Sequence, residues 1–173
     1  MAMTTSRNGI LFVANREAIV LVAYPDGPNF SIGCGHNDAA LRAGDRITVK
    51  DALALLKKDL SAREPRLNKM LTKPVTQPQF DALMSLHYNT GNRFVWDAVA
   101  LINAGRMAEA AEFFAKSDRN LAGEKLVGLL KRRLLEQAIF LHGEYGPLDP
   151  ILCWADDPRT TRPATYKLQP GDL

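Results

Sequence analysis

The sequence lacks the features that mark membrane, metal-binding and disulfide-rich proteins. Its 173 residues contain no apolar run near the ~20 residues that a membrane span needs, so we expect no stable membrane insertion. The 3 histidines are scattered without paired spacing, which predicts no metal site, and no cofactor is implied. Cys34 and Cys153 are far apart and lack CxxC spacing. Free thiols are the default interpretation, and a disulfide stays open for a chain that reaches an oxidising compartment.

Signals for export and for nucleic-acid binding are absent as well. The first residues show no charged start followed by an apolar stretch and a small-residue cleavage site, so we predict no signal peptide and expect synthesis in the cytosol. The net charge of +3 is small, and no stripe of arginine and lysine with interleaved aromatic residues is visible. This pattern argues against a nucleic-acid binder. With 46% hydrophobic and 24% charged residues, the composition excludes disorder for most of the chain.

The length fits one domain, and the composition changes near residue 146. Five of the ten prolines follow that point, and no helical periodicity is visible there. We therefore predict a domain over 1–146 and a proline-rich, extended tail over 147–173. The apolar residues Ile151, Leu152 and Trp154 are expected to pack the start of this tail onto the body.

Local signals within the domain predict an α+β fold that is mostly helical, with a small β part near the start. The turn-forming segment 25–29 separates two strand-like segments within 19–36, and 46–48 is a candidate third strand. Helices are predicted from caps and apolar periodicity, with Pro65 expected to break or kink one of them. They begin near Ser6, at Thr48 and at Thr76, and further helices cover 99–102, 108–114 and 126–141.

Two carboxylates flank the first predicted strand. Glu17 is expected where the first helix ends, and Asp26 lies nine residues later in the turn. Glycoside hydrolysis needs such a pair: a protonated acid for the leaving oxygen, and a carboxylate that activates water or stabilises positive charge. The spacing alone is weak evidence, because many surface carboxylates are nine residues apart.

The residues around this pair make the pattern far more specific. Residues 17–26 read EAIVLVAYPD and residues 31–36 read SIGCGH. Together they resemble the signature of the phage-type lysozymes (endolysins, muramidases), which reads E-G-x-x-L-x-A-Y-x-D followed by T-I-G-Y-G-H. The resemblance continues downstream in the same order, to about residue 145. The matching segments are TQPQFDAL at 76–83, NTG at 89–91 and GLLKRRLLE at 128–136.

This resemblance implies a lysozyme-like fold, in which a small β lobe and a helical lobe flank the active cleft. It also implies a muramidase, a peptidoglycan hydrolase that cleaves the β-1,4 bond between N-acetylmuramic acid and N-acetylglucosamine. Glu17 matches the general acid, Asp26 the second carboxylate and Ser31 the threonine that positions the attacking water. The partner would be peptidoglycan glycan strands, met in the periplasm after synthesis in the bacterial host cytoplasm, and we expect a monomer.

Two departures from the family pattern concern the site itself. Ala18 replaces the usual glycine after the acid, and its methyl group is strained if φ is positive there. Ser31 replaces threonine, which keeps the hydroxyl group and loses a methyl group. Neither change removes an essential functional group.

Substrate-binding residues are also predicted. His36 either contacts substrate or pins the hairpin through a hydrogen bond, and Asn89 is the best candidate for a polar substrate contact. Arg132 or Arg133 is predicted to orient Glu17, and one of the two is expected on a solvated face. Arg132 is the one assigned to substrate binding.

Other functions compete with a muramidase. A lytic transglycosylase needs one acid and no water-activating pair, so Asp26 and Ser31 argue against it. A catalytically weak wall-binding or scaffold protein is disfavoured by the two retained carboxylates and favoured by the changes at Ala18 and Ser31. A muramidase could serve as a phage endolysin or as a bacterial wall-remodelling enzyme.

Overall fold

A computed structural model of the chain describes residues 2–117 and 127–173. None of the helices in these two stretches is long and apolar enough to cross a membrane. The α+β class is confirmed: helices dominate, and one small mixed sheet accompanies them. The described elements are α1 (Arg7–Glu17), β1 (Ile19–Asp26), β2 (Asn29–Gly33), β3 (His36–Asp38), α2 (Val49–Met70), α3 (Gln77–Thr90), α4 (Asn92–Asn103), α5 (Met107–Lys116), α6 (Val127–His142), β4 (Ile151–Trp154) and β5 (Ala164–Tyr166).

The described chain divides into two compact units. Unit 1 comprises Met1–Gly9 and Leu60–Gly146, and unit 2 comprises Ile10–Asp59 and Pro147–Leu173. Unit 1 contains the helices α3 to α6, whereas unit 2 contains the sheet.

The sheet of unit 2 has the strand order β3-β2-β1-β4-β5. Strands β1 and β2 form the predicted antiparallel hairpin, with Tyr24 opposite Ser31 and Asp26 opposite Asn29. The predicted third strand at 46–48 is wrong. Only an isolated bridge joins Arg46 to Val22, because the chain turns there into the capping box of α2.

The segment 147–173 is extended, but two parts of it are strands of the sheet. Strand β4 pairs parallel with β1, with Cys153 opposite Ile19, and β5 pairs antiparallel with β4. Ile151 is fully buried, whereas Leu152 is exposed, as expected for alternating faces of a strand. Pairing with a strand more than 100 residues earlier leaves no local signal, so the sequence shows only a proline-rich stretch.

The cysteines lie on opposite sides of β1. Val20 pairs with Gly33 on β2 and with Trp154 on β4, so the neighbouring Cys34 and Cys153 are two strand spacings apart, roughly 10 Å. A disulfide requires Cα atoms within about 7 Å. Both residues are buried free thiols, and burial raises the pKa of each.

Unit 1 is a helical layer in which α3 packs on α4 and α6, and α5 packs on α4 and α6. The predicted start of α3 is confirmed, because Thr76 and Gln79 form a reciprocal capping box. Gly91 (φ +60°) and Gly143 (φ +71°) follow the ends of α3 and α6 in the left-handed region that glycine tolerates best. The first residue of the predicted helix 126–141 lies outside the described residues.

The helix α2 continues through Pro65, so Pro65 does not break it, and the alternative of a kink stays a prediction. Proline removes one backbone donor and frees the carbonyl group of Ser61, four residues earlier. Both residues are exposed, so water can satisfy that carbonyl group. The opposite face of α2 carries Leu60 and Leu67, which are fully buried and hold the helix in place.

Candidate functional site

Glu17 is the last residue of α1, and its position depends on how that helix begins and ends. Ser6 caps the helix, since its Oγ accepts a hydrogen bond from the Gly9 amide at 3.1 Å. The chain then leaves the helix at Ala18, whose φ is +63°. The condition for strain at Ala18, a positive φ, is therefore met. The sharp exit leads directly into β1 and leaves the Glu17 side chain half-exposed.

Asp26 is exposed at the far end of β1, where the hairpin turns. Ser31 on β2 is fully buried and donates a hydrogen bond from Oγ to Asp26 Oδ2 at 2.6 Å. This short bond to a carboxylate joins two of the three predicted catalytic residues.

The phenol group of Tyr24, on β1, has a raised pKa. Burial is the largest cause that raises the pKa of Tyr24, and the negative charges of Asp26 and Glu17 raise it further. The neighbouring Ser31 hydroxyl group acts in the opposite direction. Glu17 ends α1 just before β1, and Asp26 ends β1. Unit 2 therefore contains both predicted catalytic carboxylates.

Two asparagines extend the polar group around Asp26. Asn37 on β3 lies opposite Ser31 and donates from Nδ2 to Ser31 Oγ at 3.0 Å. Asn29 donates from Nδ2 to Asn37 Oδ1 at 3.0 Å. No roles for Tyr24, Asn29 or Asn37 were predicted from the sequence. The period of two along strands was the available signal, because residues two apart share one face of a sheet.

His36 connects β3 to α2 within unit 2. Its Nδ1 lies 2.9 and 3.0 Å from the two carboxylate oxygens of Asp59, and its Nε2 lies 3.8 Å from Asp38. The side chain is 22% exposed. This geometry corresponds to the hairpin-pinning alternative for His36, and Asp59 is a partner that sequence analysis did not identify.

Glu136 is the centre of a buried polar cluster in unit 1. Its carboxylate accepts hydrogen bonds from Arg132 Nε at 3.1 Å, from Arg133 Nη1 and from Ser85 Oγ at 2.6 Å. Arg133 Nη2 also donates to Asn89 Oδ1. The expected solvated arginine is wrong: Arg133 is fully buried and Arg132 is 7% exposed. Two buried cations need a buried carboxylate, which is why both arginines bind Glu136.

Asn89 is half-exposed at the end of α3. The predicted orientation of Glu17 by one of the two arginines stays a prediction. No group of three or more histidine, cysteine, aspartate or glutamate residues in the described stretches is arranged to hold a metal ion.

Comparison with known proteins connects this geometry to a family. The model of the phage lysozyme family matches residues 14–136. The endolysin of Bacillus phage PZA is 36% identical over 146 residues, a match that covers 82% of this chain. The chain spans 56% of the length of that endolysin.

Solved structures agree. The endolysin from Escherichia coli O157:H7 phage FAHEc1 has a TM-score of 0.76 at 30% identity, over 85% of this chain and 99% of that chain. The muramidase domain of SpmX from Asticaccaulis excentricus has a TM-score of 0.73 at 33% identity, over 80% of this chain and 97% of that chain. Since the family model covers most of the chain and the folds agree, this chain belongs to the phage lysozyme family.

Proposed function

We propose that the chain is a muramidase, which hydrolyses the β-1,4 bond between N-acetylmuramic acid and N-acetylglucosamine in peptidoglycan. One observation carries the proposal: Glu17 and Asp26 flank strand β1, and Ser31 donates a hydrogen bond to Asp26 Oδ2 at 2.6 Å. A pair of carboxylates with different surroundings is what glycoside hydrolysis requires.

The two carboxylates would have different roles. Glu17, half-exposed at the end of α1, would donate a proton to the leaving glycosidic oxygen. Asp26, exposed at the hairpin, would act as the base or stabilise positive charge on the sugar. Ser31 is proposed to position the attacking water, and its bond to Asp26 keeps the base and the hydroxyl group together. We propose inversion at the anomeric carbon, the outcome when water attacks between two separated carboxyl groups.

Substrate contacts are proposed for three more residues. Asn89 Oδ1 accepts from Arg133, so the amide nitrogen of Asn89 is the group that can donate to a sugar or peptide carbonyl. Arg132, which is held by its hydrogen bond to Glu136, would support substrate binding. His36 would do so by holding the hairpin on Asp59.

The biological setting follows from the proposed activity. The partner would be the glycan strands of the wall, and nucleic acid and membrane are not expected to bind. We propose synthesis in the bacterial host cytoplasm, action in the periplasm and a monomeric enzyme. A phage endolysin and a bacterial wall-remodelling enzyme would share this chemistry.

The decisive experiment is mass spectrometry of muropeptides released from purified peptidoglycan. It compares wild type with Glu17→Gln and Asp26→Asn, which keep the shape of each side chain and remove its acid–base function. Glu112→Gln and Asp97→Asn are the matched controls, since both residues are exposed on unit 1 helices. We expect products with reducing-end muramic acid from wild type and both controls, and a loss of at least 100-fold in both site variants, about 2.7 kcal/mol in barrier height.

Each other outcome identifies a competing function. Anhydro-muramic products would indicate a lytic transglycosylase. A folded wild type without products would leave a wall-binding or scaffold role. Full activity in Asp26→Asn would remove Asp26 from the mechanism while leaving Glu17 in place.

A further inference from the structure

One face of the hairpin sheet carries a continuous row of polar side chains. Tyr24 and Asp26 are two residues apart on β1, and Asn29 and Ser31 are two residues apart on β2. Cross-strand pairing aligns Tyr24 with Ser31 and Asp26 with Asn29, and Asn37 on β3 lies opposite Ser31. Residues in such register share one face of the sheet, so these five side chains are neighbours.

The hydrogen bonds along this row run in one direction. Asn29 donates to Asn37 Oδ1 at 3.0 Å, and Asn37 donates to Ser31 Oγ at 3.0 Å. Ser31 in turn donates to Asp26 Oδ2 at 2.6 Å. A carboxylate oxygen can only accept, so the chain ends at Asp26.

The orientation of the Asn37 amide group follows from its partners. Its Nδ2 also donates to the backbone carbonyl oxygen of Asp26 at 3.3 Å. A flipped amide group would point Oδ1 at that carbonyl oxygen and Nδ2 at the donor of Asn29, leaving like groups in contact. The donor therefore faces Ser31, and the single hydroxyl hydrogen of Ser31 is directed to Asp26.

We propose that Asn37 is a positioning residue for hydrolysis, which directs the Ser31 hydroxyl group onto Asp26 and so holds the orientation of the catalytic carboxylate. This inference rests on the proposed function. Holding Asp26 through Oδ2 leaves Oδ1 as the oxygen that takes up a proton from the attacking water. Asn29 supports the amide of Asn37 and acts one step further from the reaction.

The test measures kcat and KM of purified variants on solubilised peptidoglycan strands. Asn37→Ala is expected to lower kcat roughly 10-fold, because a hydrogen-bond chain to a charged group is lost. It is expected to leave KM within about twofold, because no contact with the substrate is removed. Asn37→Asp keeps the shape and removes the donor. It is expected to lower kcat further, since the new carboxylate accepts the Ser31 hydrogen and draws it away from Asp26.

A double-mutant cycle separates positioning from folding. In a Ser31→Ala background, Asn37→Ala is expected to change kcat less than about twofold, because its route to Asp26 is already removed. Asn103→Ala is the matched control, because the Asn103 amide group likewise donates and accepts hydrogen bonds, to Met70 O and from Thr72 N at 2.8 Å each. It is expected to keep kcat and KM within about twofold of wild type, and circular dichroism melts verify that every variant is folded.

The results distinguish this inference from the proposed function. Wild-type kcat in Asn37→Asp, with wild type active, would overturn the positioning role and leave the muramidase intact. An equal loss of kcat from Asn37→Ala with and without Ser31 would overturn it too. Wild type without muramidase products would refute the proposed function, and the catalytic role of Asn37 with it.

Discussion

Ala18 offers a direct measurement of backbone strain beside the proposed catalytic acid. Its φ of +63° is in the left-handed region, where a Cβ atom crowds the following carbonyl oxygen at a cost of about 1–2 kcal/mol. Glycine has no Cβ atom, so Ala18→Gly relieves this strain. Two effects of the same change lower the free energy of unfolding. Loss of a buried methyl group costs about 0.8 kcal/mol, and the greater freedom of the unfolded chain costs about 1 kcal/mol. These costs nearly cancel the gain, so Ala18→Gly should lie within about 1 kcal/mol of wild type.

Ala14→Gly is the matched control. Ala14 lies in α1 four residues earlier, is fully buried, and belongs to unit 2 as Ala18 does. It has ordinary helical geometry, so its replacement loses a methyl group and gains unfolded-state freedom without relieving strain. We expect it to destabilise the protein by about 2 kcal/mol. The free-energy difference between the two variants isolates the strain at Ala18, about 1–2 kcal/mol.

Urea unfolding, followed by the fluorescence of Trp96 in unit 1 and Trp154 in unit 2 and by circular dichroism, measures these free energies of unfolding. Ala18→Gly should be the more stable of the two variants at every urea concentration in the transition. Equal stability of the two variants, or a less stable Ala18→Gly, would refute the strain at this position.

Three other predictions concern stability and titration. Glu136→Ala removes the carboxylate that binds two buried arginines and should destabilise unit 1 by about 3–5 kcal/mol. Glu112→Ala breaks the exposed pair with Lys116 and should cost less than about 1 kcal/mol. Similar urea midpoints for the two variants would contradict the stabilising role of Glu136. Thr76→Ala removes the cap of α3 and should cost about 1 kcal/mol by thermal unfolding, and Thr76→Ser should restore most of it. Hydrogen bonds from Arg159 lower the pKa of Asp157 from 3.8 to about 2. The stabilisation is therefore fully present above pH 4 and is lost as the pH falls through 2. An NMR titration midpoint near 3.8, unchanged in Arg159→Ala, would disprove the pairing.

The candidate site was predictable where its chemistry is local to a motif. Glu17, Asp26 and Ser31 lie in one short stretch, so their spacing is visible in the sequence. The partners of the predicted site residues were not visible. Asn37 reaches Ser31 through strand register, and Asp59 binds His36 from a helix position 23 residues later. Glu136 binds both arginines because the fold buries all three.

Short-range features could be predicted from the order of residues: the caps at Ser6, Thr48 and Thr76, the hairpin turn, and the glycines that follow α3 and α6. Each depends on contacts within a few residues, so composition and order suffice. Tertiary structure alone decided the rest. It brought β4 and β5 to the sheet, kept α2 helical through Pro65 and completed the hydrogen-bond chain to Asp26. These outcomes depend on which distant segments meet and which groups lose water, and neither is encoded in local spacing.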